Sequence, residues 1–387
     1  MKLMYVFLLI ISLFILYKLI KSYGFNVIFT ILASLIIIYI IANPKECMGF
    51  TVDGVKLFFN SVFPSLFPFL VLINMIISFG GIQIYSKILG KIISYPLGLS
   101  KNCSLAILIS TFCGYPLGAR YSSDIYERNL IDYKTYERLL NIASNGSPLF
   151  IIGAVGTAML GNIYMGYLLL LSNFLSCIAM GLILPNRYKN NNSTSSKNVF
   201  VYGNNLNIGV AFKNSIEDAI KNALSIGGFI VIFSVIINII KGNVLFNITL
   251  EKISTFTTIP FEVIQGLILG MIEVTNGCNI ITKSSIDLNT KLLLLSFLIT
   301  FSGLSITSQV YSLVYKFKVS MKKYLFYKTI QGAISSLITL LLCKLPFFNF
   351  SQETFLQNSY YNINSSQIYL VVILVILFPL IITKIES

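Results

Sequence analysis

The sequence contains no histidine. That removes the commonest metal ligand and the only side chain that titrates unperturbed near neutral pH, which argues against zinc hydrolysis and Ser-His-Asp chemistry. Charge is scarce as well. Only 11% of the residues are Asp, Glu, Lys or Arg, against ~25% in a typical soluble domain. The six cysteines, Cys47, Cys103, Cys113, Cys177, Cys278 and Cys343, form no CxxC pair, and most lie inside apolar runs. They read as small buried hydrophobes, neither a disulfide frame nor a metal site.

What remains is apolar: 56% of the 387 residues are hydrophobic and the mean hydropathy is +0.82. The chain reads as an integral membrane protein with many spans. The formal charge of +14 sits on lysines in short loops between apolar runs. Cytoplasmic loops under the positive-inside rule explain it better than nucleic acid does, because no basic face interleaved with aromatics accompanies it.

The chain reads as organised around residues 110–120, STFCGYPLGAR. Gly114, Pro116 and Gly118 interrupt any helix entering from the apolar run before them, and Arg120 follows at once. Backbone freed at membrane depth must be satisfied by protein or by cavity water, so a broken apolar segment beside a charge points to a binding site. The competing reading is a kinked helix end whose arginine snorkels to the surface.

In chain order, residues 3–17 could be a signal-peptide core, but no small-residue cleavage site follows and a second apolar run begins at Asn26. Two N-terminal transmembrane helices, 4–17 and 26–42, are expected within residues 1–43. A first repeat spans 44–186. It holds an amphipathic segment at 51–60, a span at 62–79, an interfacial helix at 82–99 and a re-entrant hairpin at 102–120. Residues 122–141 are the most charged stretch and read as a solvated connector, with Ser123 and Asp132 as helix caps. Residues 143–160, broken by Asn145-Gly146-Ser147-Pro148, and a clean span at 163–184 complete this half. Residues 187–208 read as a polar cytoplasmic linker.

A second repeat covers 209–345. Gly54-Val55 recurs as Gly209-Val210, Asn60-Ser61 as Asn214-Ser215, and Ile131-Asp132 as Ile286-Asp287, all at an offset of about 155 residues. This copy has its own hairpin at 257–281, then spans at 292–313 and 328–344. Glu217 and Asp218, beside Lys213 and Lys221, read as a solvated helix face. An outer loop and a last span at 368–383 fill residues 346–387. Lys316, Lys318, Lys322, Lys323 and Lys328 place the intervening loop inside. The expected fold is an all-α polytopic membrane protein with about nine transmembrane helices plus two re-entrant hairpins, the halves forming an inverted structural repeat.

Such an architecture puts a solute site where the broken segments meet. The candidates are Gly114, Tyr115, Gly118 and Arg120 with Asn145, Gly146 and Ser147 in the first half. In the second they are Glu273, Thr275, Asn276 and Gly277 with Ser302, Ser305, Ser308 and Gln309. Half-helix N-termini suit carboxylates, and Arg120 adds a bidentate partner. A carboxylate such as Glu273 at the bilayer centre costs about 2.5–3.5 kcal/mol, so it should be paired, protonated or functional. A structural pair with a lysine is the plainer alternative. For the serines and Gln309 the alternative is helix–helix hydrogen bonding. No catalytic residue, metal or cofactor is expected, since no nucleophile–base pair or phosphate loop is visible.

The run CGYPLGAR followed by ERLLNIASNGSPLFIIGAVG resembles the YlbJ (SpoVV) family of sporulation integral membrane proteins, which carry the nucleoside-recognition (gate) domain. GLILGMIEVTNG is similar to that family's second signature, and the resemblance extends over residues 54–384. It implies a protein of endospore-forming bacteria, distantly like concentrative nucleoside transporters, that moves dipicolinic acid across the outer forespore membrane from the mother cell. The expected partners are a small anionic solute and membrane lipid, with room for a coupling cation and a homo-oligomer, and the placement of charge leaves none for nucleic acid. Glu273 would repel a dianion unless protonated or coupled to a cation. Cys113 stands where a small residue such as serine is expected. The alternative function is a non-transporting gate-domain receptor or assembly protein needed for spore formation.

Overall fold

The computed structural model describes residues 26–185 and 207–344; the expected helix at 4–17, nearly all of the 187–208 linker, the outer loop and the span at 368–383 lie outside them. The described residues form helices and no strand. The first half runs α1 (Asn26–Ala42), α2 (Pro44–Leu57), a π-helical turn (Phe58–Val62), α3 (Phe63–Ser78), and the short α4 (Gly81–Ile88) and α5 (Gly90–Ser94). Then come α6 (Ser104–Cys113), α7 (Leu117–Glu127), α8 (Tyr133–Ile142), a π-helical segment (Leu149–Met159) and α9 (Ile163–Ile183). The second half runs α10 (Ile208–Gly242), α11 (Val244–Thr257), α12 (Phe261–Ile272), α13 (Val274–Lys283), α14 (Leu288–Phe301), α15 (Gly303–Val314) and α16 (Met321–Cys343). Each half thus ends in a helix pair, a once-interrupted helix and a closing long helix; ahead of the pair the first half has the short α4 and α5 and the second the single α11.

Among the described residues four helices are long and apolar enough to cross a membrane: Ile163–Ile183, Ile208–Gly242, Leu288–Phe317 and Met321–Cys343. A fifth counts if Asn26–Ala42 and Pro44–Asn60, bent by 110°, make one span. Large apolar side chains such as Phe29, Leu182, Leu224 and Leu341 lie exposed on these helices. Water would not tolerate so much exposed apolar surface, but lipid does.

Residues 44–78 are helical throughout, with a π turn between the segment expected at 51–60 and the apolar helix that follows. Pro44 occupies the first helical turn, where its missing N–H costs nothing. Further on, Pro64 and Pro68 cannot donate into the ladder, and the π turn at Phe58–Val62 takes up the local mismatch. This path packs antiparallel to α10. A Cβ on Gly54 would stand 3.0 Å from the Val231 Cα, one on Gly227 would meet the Phe58 ring at 2.8 Å, and Asn74 donates to the Ser215 carbonyl. Small residues at these crossings let the backbones approach, as membrane helix pairs require.

The charged stretch 122–141 does not lie free in water. Helix α7 continues through it to Glu127, so Ser123 is mid-helix, where it bonds the Ala119 carbonyl and the Tyr136 hydroxyl. Asp132 does occupy the N-cap position of α8, but its side chain makes no capping bond. Arg138 is buried and donates to the carbonyls of Leu97, Gly181, Leu184 and Pro185, closing off the C-terminal end of α9. On α10, Lys213 and Glu217 form the expected exposed i, i+4 pair at 3.7 Å. The six cysteines are free, and all but Cys343 are buried.

Two apolar cores result. One surrounds α3 and α6–α8, and the other surrounds α12–α14 with the π-helical segment and α9. Ile306 on α15 packs against both.

Candidate solute site at the helix breaks

Each half contains one helix pair and one interrupted helix, and the interruptions touch. In the first half α6 ends at Gly114, whose φ of +75° is open to glycine and costly to other residues. A Cβ there would stand 2.6 Å from the Ser147 nitrogen. The next amide, Tyr115, donates to the Asn145 carbonyl at 2.7 Å. Gly118 sits even closer to the interrupted helix, since a Cβ on it would lie 1.8 Å from the Ala143 carbonyl oxygen. The pair α6–α7 is therefore sealed against the gap between α8 and the π-helical segment.

The contact crosses to the second half. The Tyr115 hydroxyl donates to the Ile299 carbonyl at 3.3 Å, one turn before α14 stops, and Gly146 faces the Ile299 side chain. Tyr115 also lies within electrostatic reach of Glu273, Cys278 and Tyr324. At Ser302 the chain turns left-handed, with Gly303 next, and a Cβ on Gly303 would meet the carbonyl oxygens of Gly270 and Ile272 at 3.2 Å. In the pair α12–α13 the arms touch backbone to backbone, a Cβ on Gly277 coming within 2.1 Å of the Gly270 Cα.

The two helix pairs end differently. Glu273 separates α12 from α13 and caps α13 itself: its carboxylate accepts from the Thr275 and Asn276 amides at 2.9 Å and from the Asn276 side chain at 2.8 Å. The lysine pairing that sequence offered for it is replaced by this cap. Its charge neutralises the helix terminus, so the α13 N–H groups it holds are not offered to an anion. No side chain caps α7, which begins after Pro116. There the helix N-terminus and Arg120 combine into a positive end.

Arg120 donates to the Asn222 side-chain oxygen on α10. Its Nε and the Asn222 Nδ2 are buried and have no hydrogen-bond partner among the described residues. The two residues line a cavity of ≈ 30 Å³ together with Pro116, Ser225, Gln309 and Ser312. Arg120 and Gln309, predicted from separate halves, thus meet.

Other predicted residues are occupied locally. The Ser302 and Ser308 hydroxyls bond carbonyls of their own chain segment, Phe301 and Leu304, and Ser147 accepts from the Phe150 amide. Ser305 is buried on α15, and Thr275 stays on the α13 cap. Asn145 accepts from Gln331 at 3.2 Å and donates to the Ile142 carbonyl.

Sequence reasoning missed Lys328. It is not in a cytoplasmic loop: its exposure is 0%, and it donates to the Ser144 carbonyl at 2.5 Å and to Gln331 Oε1 at 2.9 Å. The signal was present. Tyr324, Lys328, Gln331, Gly332, Ser335 and Thr339 recur at helical spacing and form the inward face of α16. Four nearby lysines disguised it as part of a positive-inside cluster.

No family model matches the chain, and no solved structure does. Among curated proteins it is 24% identical over 324 residues to the sporulation integral membrane protein YlbJ of Bacillus subtilis (strain 168), covering 79% of this chain and 79% of that protein. A match of that extent takes in both helix pairs and both interruptions, so the similarity to that sporulation integral membrane protein runs through the whole site.

Proposed function

We propose that this protein is a transporter for a small anionic solute, with dipicolinate as the solute and the outer forespore membrane as the site of action. The observation that carries the reading is that Arg120 and Asn222 line one cavity and each keeps a buried donor, Nε and Nδ2, with no acceptor among the described residues. An unmade bond on a buried donor costs about 1–3 kcal/mol, more when charged, and a carboxylate oxygen supplies the missing acceptor. The uncapped start of α7 adds to the same positive end.

The full arrangement we infer has nine membrane spans and two re-entrant hairpins, α6–α7 and α12–α13, in two inverted halves. The antiparallel packing of residues 44–78 on α10 and the matching order of elements support it. The cavity as it stands accommodates a water and no aromatic ring. Loading therefore requires hairpin α6–α7 to draw away from α10 and α15. No reaction is assigned to the protein. A coupling cation and a homo-oligomeric assembly fit this reading.

The test is uptake of labelled dipicolinate into proteoliposomes holding the purified protein. Uptake above empty vesicles, abolished by Arg120→Ala with the protein still in the membrane, is the expected result. Its absence under every ion gradient, together with normal dipicolinate content in spores depleted of the protein, overturns the reading and favours a receptor or assembly role.

A further inference from the structure

The Arg120 cavity leaves Lys328 unexplained. This side chain is fully buried on α16 and reaches the first-half interruption at Ser144. Among the described residues no carboxylate pairs with it. The groups around it are neutral. Gln331 receives its second hydrogen bond and passes one on to Asn145, while Ser144 shares a 2.5 Å hydrogen bond with the Tyr324 hydroxyl.

Counting donors fixes what this arrangement accommodates. An ammonium group has three N–H donors and a full charge, and Ser144 and Gln331 supply two acceptors. A neutral amine has two N–H donors and matches them. A buried charge without a partner costs several kcal/mol, so the closed site suits the amine. Adding an anion reverses this, because a carboxylate supplies both the third acceptor and the counter-charge.

The other titratable groups do not change the balance. From α9 comes Cys177, which bonds the Ile142 carbonyl, and from α16 itself comes Tyr324. Helix α14 brings Asp287 and Lys291 only at its N-terminal end, more than two turns from Lys328, where they cap α14 and bond the Thr282 carbonyl. On α8, Arg138 is engaged with backbone carbonyls and Tyr136 with Ser123.

We propose that Lys328 is an anion subsite at the α8 interruption that binds a carboxylate of the solute and takes up one proton as it does so. The amine lone pair accepts a proton from hydronium on the side the solute enters. The ammonium and carboxylate then form an ion pair, and both leave together when the site opens on the other side. The inference rests on the anionic-solute reading above.

The experiment is calorimetric titration of dipicolinate into the full-length protein in nanodiscs, in two buffers of different ionisation enthalpy. Wild type should take up one proton per anion bound. Its affinity should fall by about tenfold per pH unit between about pH 7 and about pH 9, where both solute carboxylates stay ionised. Lys328→Met should bind more weakly with no proton uptake. Lys328→Arg, permanently charged, should bind with no proton uptake and little pH dependence. Binding by wild type without proton uptake, or uptake persisting in Lys328→Arg, overturns the coupling and leaves the transporter reading standing. If wild type does not bind dipicolinate, that reading falls and this one with it.

Discussion

Glu273 offers a sharp test, because two roles for it make opposite demands. As the α13 cap, its two carboxylate oxygens accept two backbone N–H groups at 2.9 Å and one side-chain N–H at 2.8 Å. Glu273→Ala removes all three acceptors. An N-cap replaced by alanine costs ~0.5–2 kcal/mol, and hydrogen bonds to a charged group ~1.5–3 kcal/mol each. Shared over a half-exposed site, about 2–4 kcal/mol of local stability should be lost. Glu273→Gln keeps one oxygen for one backbone N–H and gives up the charge, a loss of about 1 kcal/mol. Hydrogen exchange of the Thr275 and Asn276 amides in nanodiscs reads this directly. At tenfold per ~1.4 kcal/mol, exchange should quicken about fivefold in the glutamine variant and about 30-fold to several hundredfold in the alanine variant. Solute uptake should survive in the former and fail in the latter. The cap argument is refuted if Glu273→Gln abolishes uptake while both amides stay protected, since the carboxylate would then act on solute or ion.

Gly118→Ala should leave little folded protein, because its Cβ would overlap the Ala143 carbonyl oxygen at 1.8 Å; by contrast Gly228→Ala on α10, with nothing within 4 Å, should raise the melting temperature through a gain of ~0.5–1 kcal/mol. Arg138→Met should cost about 3–5 kcal/mol in a thermal-unfolding assay, as it strips hydrogen bonds from the Leu97 carbonyl and from those of Gly181, Leu184 and Pro185 at the end of α9. Lys316→Ala, which breaks a half-exposed ion pair with Glu127, should change stability by less than about 1 kcal/mol at any salt concentration.

The interruptions could be read from the sequence because glycine and proline mark them: Gly114-Tyr115-Pro116 and Asn145-Gly146-Ser147-Pro148 both fall where helices stop. That Arg120 and Gln309 would share a cavity followed only from placing both near the breaks. Composition misled where one residue served two environments. Residues 122–141 carry enough charge to look solvated, yet the face bearing Ser123, Tyr136 and Arg138 is buried. Lys328 counted as one more loop lysine, although its spacing from Tyr324 and Gln331 set it on the inward face of α16. Asn222 drew no notice, because nothing local to α10 shows that Arg120 arrives there from 102 residues away. The break at Ser302 fell inside a run expected to cross as one span, since a left-handed serine before Gly303 has no strong sequence signature.

The glycine seam between α12 and α13 governs how that half of the molecule can move. With Gly277 pressed onto the Gly270 backbone and the Ile280 and Ile281 side chains seated against Gly266, the arms interlock, and sliding one past the other would open a void. The pair must swing as a single stiff paddle. Its pivots are then the roots, at the left-handed Thr258 ahead of Pro260 and at the extended Ser284 beyond Lys283.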